Sequence, residues 1–367
     1  MFDATIAHID LEALNNNLHK IKSAAPKSKV VAMIKCNAYG HGAIEVAKNI
    51  ESDIDVFGVM FLKEALALSK ADINKPLVIL TGFFNAEELD VIDQYGFECV
   101  IHNFEQVEIL ERSKLSRPLS VWLKIDTGMH RLGFQPYQVL RAYHRILSHH
   151  MVKKPLRLMT HFSDADDAAK NKTAEQLAIF ERMTADLDGE KCLANSAAIL
   201  NWSHTHANWI RPGLLLYGAS PLEGKTGLDL GLKPVMTLSS QVIATHELVA
   251  GETIGYGSLY KCPENMRIGI VAIGYGDGYP RNTNNAPVLV SGVETQLLGR
   301  VAMDMIAVDL RPVPQAVIGS KVILWGQGLP VEKVAQCAGE ISYELFCRLT
   351  SRVLYKFYQR SSDIKIG

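Results

Sequence analysis

Between Val30 and Tyr217 the chain repeats one pattern: a short apolar, β-branched run, then an amphipathic stretch with helical spacing. Apolar runs fall at Val30 to Ile34, Val56 to Val59, Leu77 to Leu80, Cys99 to Ile101, Val121 to Ile125, Leu156 to Thr160, Leu193 to Ala194 and Leu214 to Tyr217. Helical patterns lie between them at Phe61 to Lys70, Glu87 to Gln94, Phe104 to Arg112, Tyr137 to Leu147 and Thr173 to Asp186. Runs apolar on both faces belong to parallel strands covered on both sides, and about eight such units are the number that closes a (β/α)8, TIM-like barrel. Before the repeat, a short strand at Ile6 to Ile9 leads to Asp10, placed to cap a helix whose Leu11, Leu14, Leu18 and Ile21 share a face.

At 367 residues the chain exceeds the roughly 250 of a barrel, so a second domain is expected. Past Gly224 the pattern changes to short alternating runs separated by Gly, Pro and Asn: Met236 to Thr245, Arg267 to Ile273, Val288 to Val290, Thr295 to Leu298, Ile306 to Leu310 and Lys321 to Leu324. The expected division is a barrel over 1–228, whose first short strand could pack with the second domain, and a mainly β carboxy-terminal domain over 229–367. A helix at Val331 to Ala338 and the segment Tyr343 to Tyr355 close the chain.

Lys35 ends the first apolar run of the repeat and is followed by a Tyr39-Gly40-His41-Gly42 turn. A lysine desolvated at the carboxyl rim of a barrel, where such folds do their chemistry, becomes available as a nucleophile or as a Schiff-base partner for an aldehyde. Alone, a strand-end lysine more often points into water. Lys124, His161, Asn195 and Arg211 also follow apolar runs, so a barrel would gather all five on one rim.

Lys35 with Tyr39 and His41, the run Lys124 to Phe134, Thr160-His161-Phe162, Asn195-Ser196-Ala197, Arg211-Pro212-Gly213, Gly255-Tyr256-Gly257, Gly274 to Tyr279 and Gly299 to Asp304 occur in this order. In identity and order they resemble the alanine racemases, pyridoxal-phosphate (PLP) enzymes of fold type III, over almost the whole chain. The resemblance implies that Lys35 holds PLP and serves as one catalytic base, and that Tyr256 is the other. Racemisation removes a proton from one face of Cα and returns one on the other, which suits two groups on opposite faces. It further implies that His161 contacts this tyrosine and meets Arg211, which faces the pyridine nitrogen, and that Arg131 binds the substrate carboxylate. The phosphate is expected at Ser196, beside Asn195 at a helix start, at the backbone of Gly213 and Leu214, and at Tyr39 and Tyr343. Tyr275 would narrow substrate entry, Met303 and Asp304 would come with Tyr256 from a partner subunit of a homodimer, and Lys124 matches a lysine that many members carry as a carbamate. Cys36 stands where the family usually has alanine, and Ala302 where cysteine or serine is common.

The expected function is interconversion of L- and D-alanine, for peptidoglycan synthesis or D-alanine catabolism. The rivals are a serine or broad-specificity racemase of the same fold, a PLP decarboxylase, and a non-enzymatic PLP carrier or regulatory barrel, which needs no second base. A net charge of −1 leaves no footprint for nucleic acid or an anionic membrane. Six scattered cysteines without CxxC pairing argue against a disulfide framework, and His204 and His206 read as a surface loop, so no metal is expected. The start, Met1 to Thr5, has no basic leader and no stretch is long and apolar enough to span a bilayer, so a cytoplasmic location is expected.

Overall fold

The architecture follows from a computed structural model that describes residues 5–283 and 285–364; Met1 to Ala4, read above as lacking a leader, lie outside the described residues. β1 (Ile6–Asp10) precedes the barrel, and the Asp10 carboxylate caps the helix Leu11–Ala24 by accepting from the Ala13 N–H at 2.8 Å. Strands β2 (Lys29–Met33), β3 (Val56–Val59), β4 (Leu77–Ile79), β5 (Glu98–Ile101), β6 (Val121–Lys124), β7 (Leu156–Met159), β8 (Gly189–Asn195) and β9 (Trp209–Arg211) then close into an eight-stranded barrel in chain order. Each neighbouring pair is parallel, and β2 completes the ring by pairing with β9. Val30, Val31, Ala32, Val56, Phe57, Val121 and Leu123 are almost fully buried, as strands covered by helices on one side and packed inward on the other must be.

The amino-terminal end of the barrel is plugged. The Arg157 guanidinium lies 4.8 Å from the ring centres of both Trp122 and Trp209, and the buried Glu98 carboxylate accepts from Trp122 Nε1 at 2.8 Å and from Arg157 at 2.5 Å. Charge, ring faces and indole N–H groups satisfy one another there, so the barrel opens at its carboxyl rim.

The second domain is built on β10 (Met236–Leu248), the two-residue strands β11 (Thr253–Ile254) and β12 (Tyr260–Lys261), and β13 (Met266–Val271), β14 (Pro287–Val290), β15 (Val293–Leu298), β16 (Ile306–Asp309), β17 (Lys321–Trp325) and β18 (Leu354–Tyr358). β11 and β12 pair with each other, and the rest form one sheet of order β13-β16-β15-β14-β17-β10-β1-β18. β1 is antiparallel to β10 and parallel to β18, so the chain's first strand lies in this sheet and hands the chain to the barrel through the capped helix. The segment Tyr343 to Tyr355 divides between the helix Ser342–Cys347 and the start of β18.

One expected strand is absent. Leu214–Tyr217 is a 3-10 turn, and the eighth barrel strand is the three-residue Trp209–Arg211 before it. Pro212 has no N–H to continue the ladder, and the turn beyond it is buried under the first helix, where Asn17 Nδ2 donates to the Leu216 carbonyl at 3.1 Å. A short run buried on every side carries no periodicity to separate strand from turn. His204 is exposed on the 3-10 turn Ser203–Thr205, while His206 Nε2 lies 2.9 Å from the Ile199 carbonyl. Among the described residues no three His, Cys, Asp or Glu side chains are grouped to hold a metal, and no helix is long and apolar enough to cross a membrane.

Candidate functional site

Lys35 follows the end of β2 by two residues and heads an unusual turn. Cys36, Asn37, Ala38 and Tyr39 all have φ between 51° and 55° and ψ between 42° and 51°, one turn of left-handed helix without a glycine. At about 1–2 kcal/mol for each L-residue in this conformation, the turn persists only because its surroundings fix it. The result places Lys35 and Tyr39 in the lining of the same cavity.

That cavity has a volume of about 480 Å³ and sits at the carboxyl rim. Lys35, Lys124, Arg131, Arg211 and His161 line it, and among the described residues no Asp or Glu does; Asp126 lies behind them, beside Lys124, Arg131 and His161. Burial lowers the Lys35 pKa, with Arg131 adding to the effect and Cys36 and Glu64 opposing it. Burial first, then Arg211, Arg131 and Lys35, bring Lys124 down from 10.5 to about 7. Such a concentration of donors and positive charge, without a carboxylate, is a receptor for anions.

Each cation is held by its own chain environment. Arg211, the last residue of β9, is 5 % exposed and has no carboxylate partner among the described residues; NH1 donates to the Cys192 carbonyl at 3.0 Å, and NH2 to the Thr160 carbonyl at 2.7 Å and the Leu193 carbonyl at 3.3 Å. NH2 also lies 3.3 Å from His161 Nδ1. A guanidinium only donates, so Nδ1 accepts and the His161 proton sits on Nε2. Burial and then Arg211, Lys124, Arg131 and Lys35 keep this ring neutral, its pKa well below the usual 6.5. Arg131 ends a loop folded around the buried Asp126, whose Oδ1 accepts from the N–H groups of Gly128, Met129 and His130 at 3.0–3.1 Å. Gln176 adds a second brace, donating to the His161 carbonyl at 3.1 Å and to Thr127 Oγ1 at 3.2 Å.

At one end of the cavity Tyr39, Tyr343, Ser196, Gly213 and Leu214 come together. Ser196 Oγ accepts from the Gly213 N–H at 2.9 Å, and a Cβ at Gly213 would lie 2.6 Å from the Tyr39 hydroxyl, so only glycine leaves this cradle open. Burial raises the Tyr39 pKa far above its usual value and Tyr343 to about 12, so both hydroxyls keep their protons and can donate. Asn195 caps the helix Ser196–Asn201 through the Ala198 N–H at 3.0 Å, which fixes where Ser196 points.

Tyr256, Tyr275, Met303 and Asp304 are not among the residues lining this cavity. Tyr256 is 69 % exposed on the 3-10 turn Tyr256–Ser258 that follows β11. Tyr275 and Met303 lie on two loops zipped together, with the Tyr275 N–H donating to the Ala302 carbonyl at 3.1 Å and the Gly276 N–H to the Met303 carbonyl at 2.8 Å. Arg352 bridges the same loops through Asp304 at 2.7 Å and Asp277 at 3.2 Å. Large apolar and aromatic groups in this loop cluster face solvent: Met303 is 53 % and Tyr275 40 % exposed.

Sequence reading missed some contributors. Cys347 and Ile341, from the second domain, line the cavity with Leu132 and Cys36. Glu64 does not line it but accepts from the Cys36 N–H beside Lys35. Its sequence signal was an acid in the first turn of the helix Leu62–Lys70; its reach to the preceding loop was not visible there.

Comparison with known proteins places the chain in one family over nearly its whole length. The family model described as alanine racemase, N-terminal domain, matches residues 9–221, and that described as alanine racemase, C-terminal domain, matches residues 235–357. The chain is 47 % identical to the biosynthetic alanine racemase of Escherichia coli over 351 residues, covering 95 % of this chain and 98 % of that protein. It superposes on the crystal structure of the biosynthetic alanine racemase of Pseudomonas aeruginosa with a TM-score of 0.94 at 41 % identity, covering 98 % of this chain and 100 % of the other. The alanine racemase of Bartonella henselae with covalently bound pyridoxal phosphate matches at a TM-score of 0.87 and 26 % identity, covering 97 % of this chain and 99 % of that one.

Proposed function

The chain belongs to the alanine racemase family, and on that premise we propose that it interconverts L- and D-alanine with PLP in a homodimer whose two chains share each active site. The observation that carries this reading is the cavity with four cationic side chains, no carboxylate, and a lysine of lowered pKa at the head of a strained turn. A dianionic phosphate at one end and an amino-acid carboxylate nearby would supply the missing negative charge. The open cradle at Gly213 and the protonated hydroxyls of Tyr39 and Tyr343 fit the phosphate. When bound, PLP would supply the electron sink that lets the α-proton leave.

The chain's own residues do the rest. Lys35 would hold the cofactor and carry a proton on one face of Cα. Arg131, at the mouth, would take the substrate carboxylate. Arg211 has both terminal nitrogens engaged by carbonyls and His161, and among the described residues no hydrogen bond engages its Nε–H. That N–H would serve the pyridine nitrogen as a donor that never yields its proton, which keeps the ring nitrogen unprotonated and favours prompt return of the proton to Cα.

The second base would be the partner's copy of Tyr256. In its own chain Tyr256 is exposed and absent from the cavity, as is the loop pair with Tyr275 and Met303; a second copy docking over the rim would use all three. The neutral His161 with its proton on Nε2 could then donate to the tyrosine oxygen and stabilise its ionised form, which a free phenol reaches only near pH ~10. Lys124, with a pKa of about 7, has a neutral amine available for carbamate formation, and the resulting negative charge would orient Arg131. The likeness to biosynthetic relatives favours supply of D-alanine for peptidoglycan. The test is chiral analysis of product from PLP-loaded protein with L-alanine in D₂O, beside L-serine. Rapid formation of Cα-deuterated D-alanine with little D-serine is expected; equal rates would reassign it as a broad-specificity racemase, and no D-amino acid would refute a racemase.

A further inference from the structure

The helices after three successive barrel strands, Leu62–Lys70, Ala86–Tyr95 and Phe104–Arg112, each carry an acid or amide at their third residue: Glu64, Glu88 and Gln106. Each accepts a hydrogen bond from a backbone N–H of the loop leading into its own helix: Met60 and Phe61 for Glu64, Phe84 for Glu88, His102 for Gln106. That much is local capping of free N–H groups. Two of the three reach further, to the loop after the preceding strand. Gln106 Nε2 donates to the carbonyls of Thr81 and Phe83 at 2.8 and 3.0 Å, whereas Glu64 Oε1 accepts from the Cys36 N–H at 2.7 Å.

The residue type follows from what the neighbouring loop offers. An ordinary loop presents carbonyls and calls for an amide, as Gln176 also shows by donating to the His161 carbonyl. The left-handed turn after Lys35 presents an N–H instead, and only a carboxylate can accept it while its other oxygen accepts from Met60 and Phe61. Glutamine at 64 would keep the volume but set an NH₂ against one group of N–H donors. The other end of the turn is fixed independently: His41, wholly buried and stacked on Tyr217 at 4.5 Å, has its Nδ1 2.9 Å from the Tyr39 carbonyl.

We infer that Glu64 is a positioning residue for the reaction: its carboxylate holds the left-handed turn so that Lys35 and Tyr39 face one cavity, and so controls how readily the site takes up PLP. This rests on the PLP reading above. Glu64 touches neither substrate nor cofactor and acts through the Cys36 N–H.

The experiment compares wild type, Glu64→Gln and Glu88→Gln as full-length apoproteins. PLP uptake is followed by visible absorbance, borohydride trapping with peptide mass analysis locates the attached cofactor, and amide hydrogen exchange is measured over Cys36 to Tyr39. Glu88→Gln perturbs an equivalent helix start that has no contact with the Lys35 turn, and serves as the control for a merely structural role. The expected result is PLP affinity about 10- to 100-fold weaker in Glu64→Gln, the range for one charged hydrogen bond lost, faster exchange over 36–39, and uptake within two-fold of wild type in Glu88→Gln. Equal PLP uptake by the two variants would overturn the inference, as would exchange over 36–39 unchanged by Glu64→Gln. Wild type that traps no PLP on Lys35 would refute the PLP reading instead, and the exchange comparison would still decide whether Glu64 holds the turn.

Discussion

Replacing Lys124 by methionine should make the apoprotein more stable at pH 6 and much less so at pH 9. In the native cavity Lys124 titrates near 7 instead of 10.5, because it is buried and faces Arg211, Arg131 and Lys35. Below pH 7 the native site must carry a charge that the unfolded chain carries freely in water, a penalty of about 5 kcal/mol for a shift of this size. Between pH 7 and 10.5 the unfolded chain keeps the proton while the native site has released it, so native stability rises by about 1.4 kcal/mol per unit and the penalty fades. Methionine has similar bulk and no charge, so the variant escapes the penalty, and its advantage over wild type should shrink by about 2.5 kcal/mol between pH 6 and 9. Water in the open cavity would weaken the shift; were half of it screened, the change would still be about 0.5 kcal/mol. Urea denaturation of both apoproteins at several pH values, in carbonate-free buffer and at one protein concentration, measures it. Taking the difference between the proteins cancels the titration of His8 and His41, which do not face Lys124, while His102 and His161, which do, lose one of the charges that depress them. A difference that stays flat from pH 6 to 9 would show that the cluster does not depress Lys124. The same shift leaves roughly half of Lys124 neutral at pH 7, over a thousand times the fraction of an ordinary lysine. Bicarbonate should therefore stabilise wild type near neutrality and leave the methionine variant unchanged.

Lys35→Ala should lose covalently held PLP and essentially all racemisation, read by mass analysis and chiral chromatography; retained activity would exclude Lys35 as the cofactor's anchor. Tyr256→Phe should keep PLP bound and slow proton removal from L-alanine more than from D-alanine, so equal loss in both directions of deuterium exchange would contradict assignment of two separate bases. Gly213→Ala places a methyl group 2.6 Å from the Tyr39 hydroxyl at a position whose backbone is not left-handed. PLP affinity should fall by about 10-fold, the cost of one displaced hydrogen bond, with little change in melting temperature; unaltered affinity would remove Tyr39 from the phosphate cradle.

Legibility in the sequence followed the range of the force that made each feature. Seven of the eight barrel strands and the helix Phe104–Arg112 could be read because burial on both faces, or on one, leaves its period in the residues themselves. Leu214–Tyr217 misled because its burial comes from the helix Leu11–Ala24 packed above it, which no local period encodes. The rim cations were legible one at a time as polar residues ending apolar runs. Their mutual effect, a lysine near pKa 7 and a histidine held neutral, needed the closed ring that sets them side by side.

The left-handed turn was the least legible feature, and for a general reason. No glycine or asparagine-glycine pair announces it; Gly40 and Gly42, which have the usual freedom, come after it. Cys36 to Tyr39 would locally prefer other conformations, and the side chains that overrule them, Glu64 and His41, lie on another helix and beyond the turn. A conformation imposed by tertiary contacts is legible only as unexplained residues: a glutamate where glutamine would cap as well, and a buried histidine donating to main-chain carbonyls. In this barrel, such misfits at helix starts point to the loop that departs from the ordinary pattern, and that loop carries Lys35.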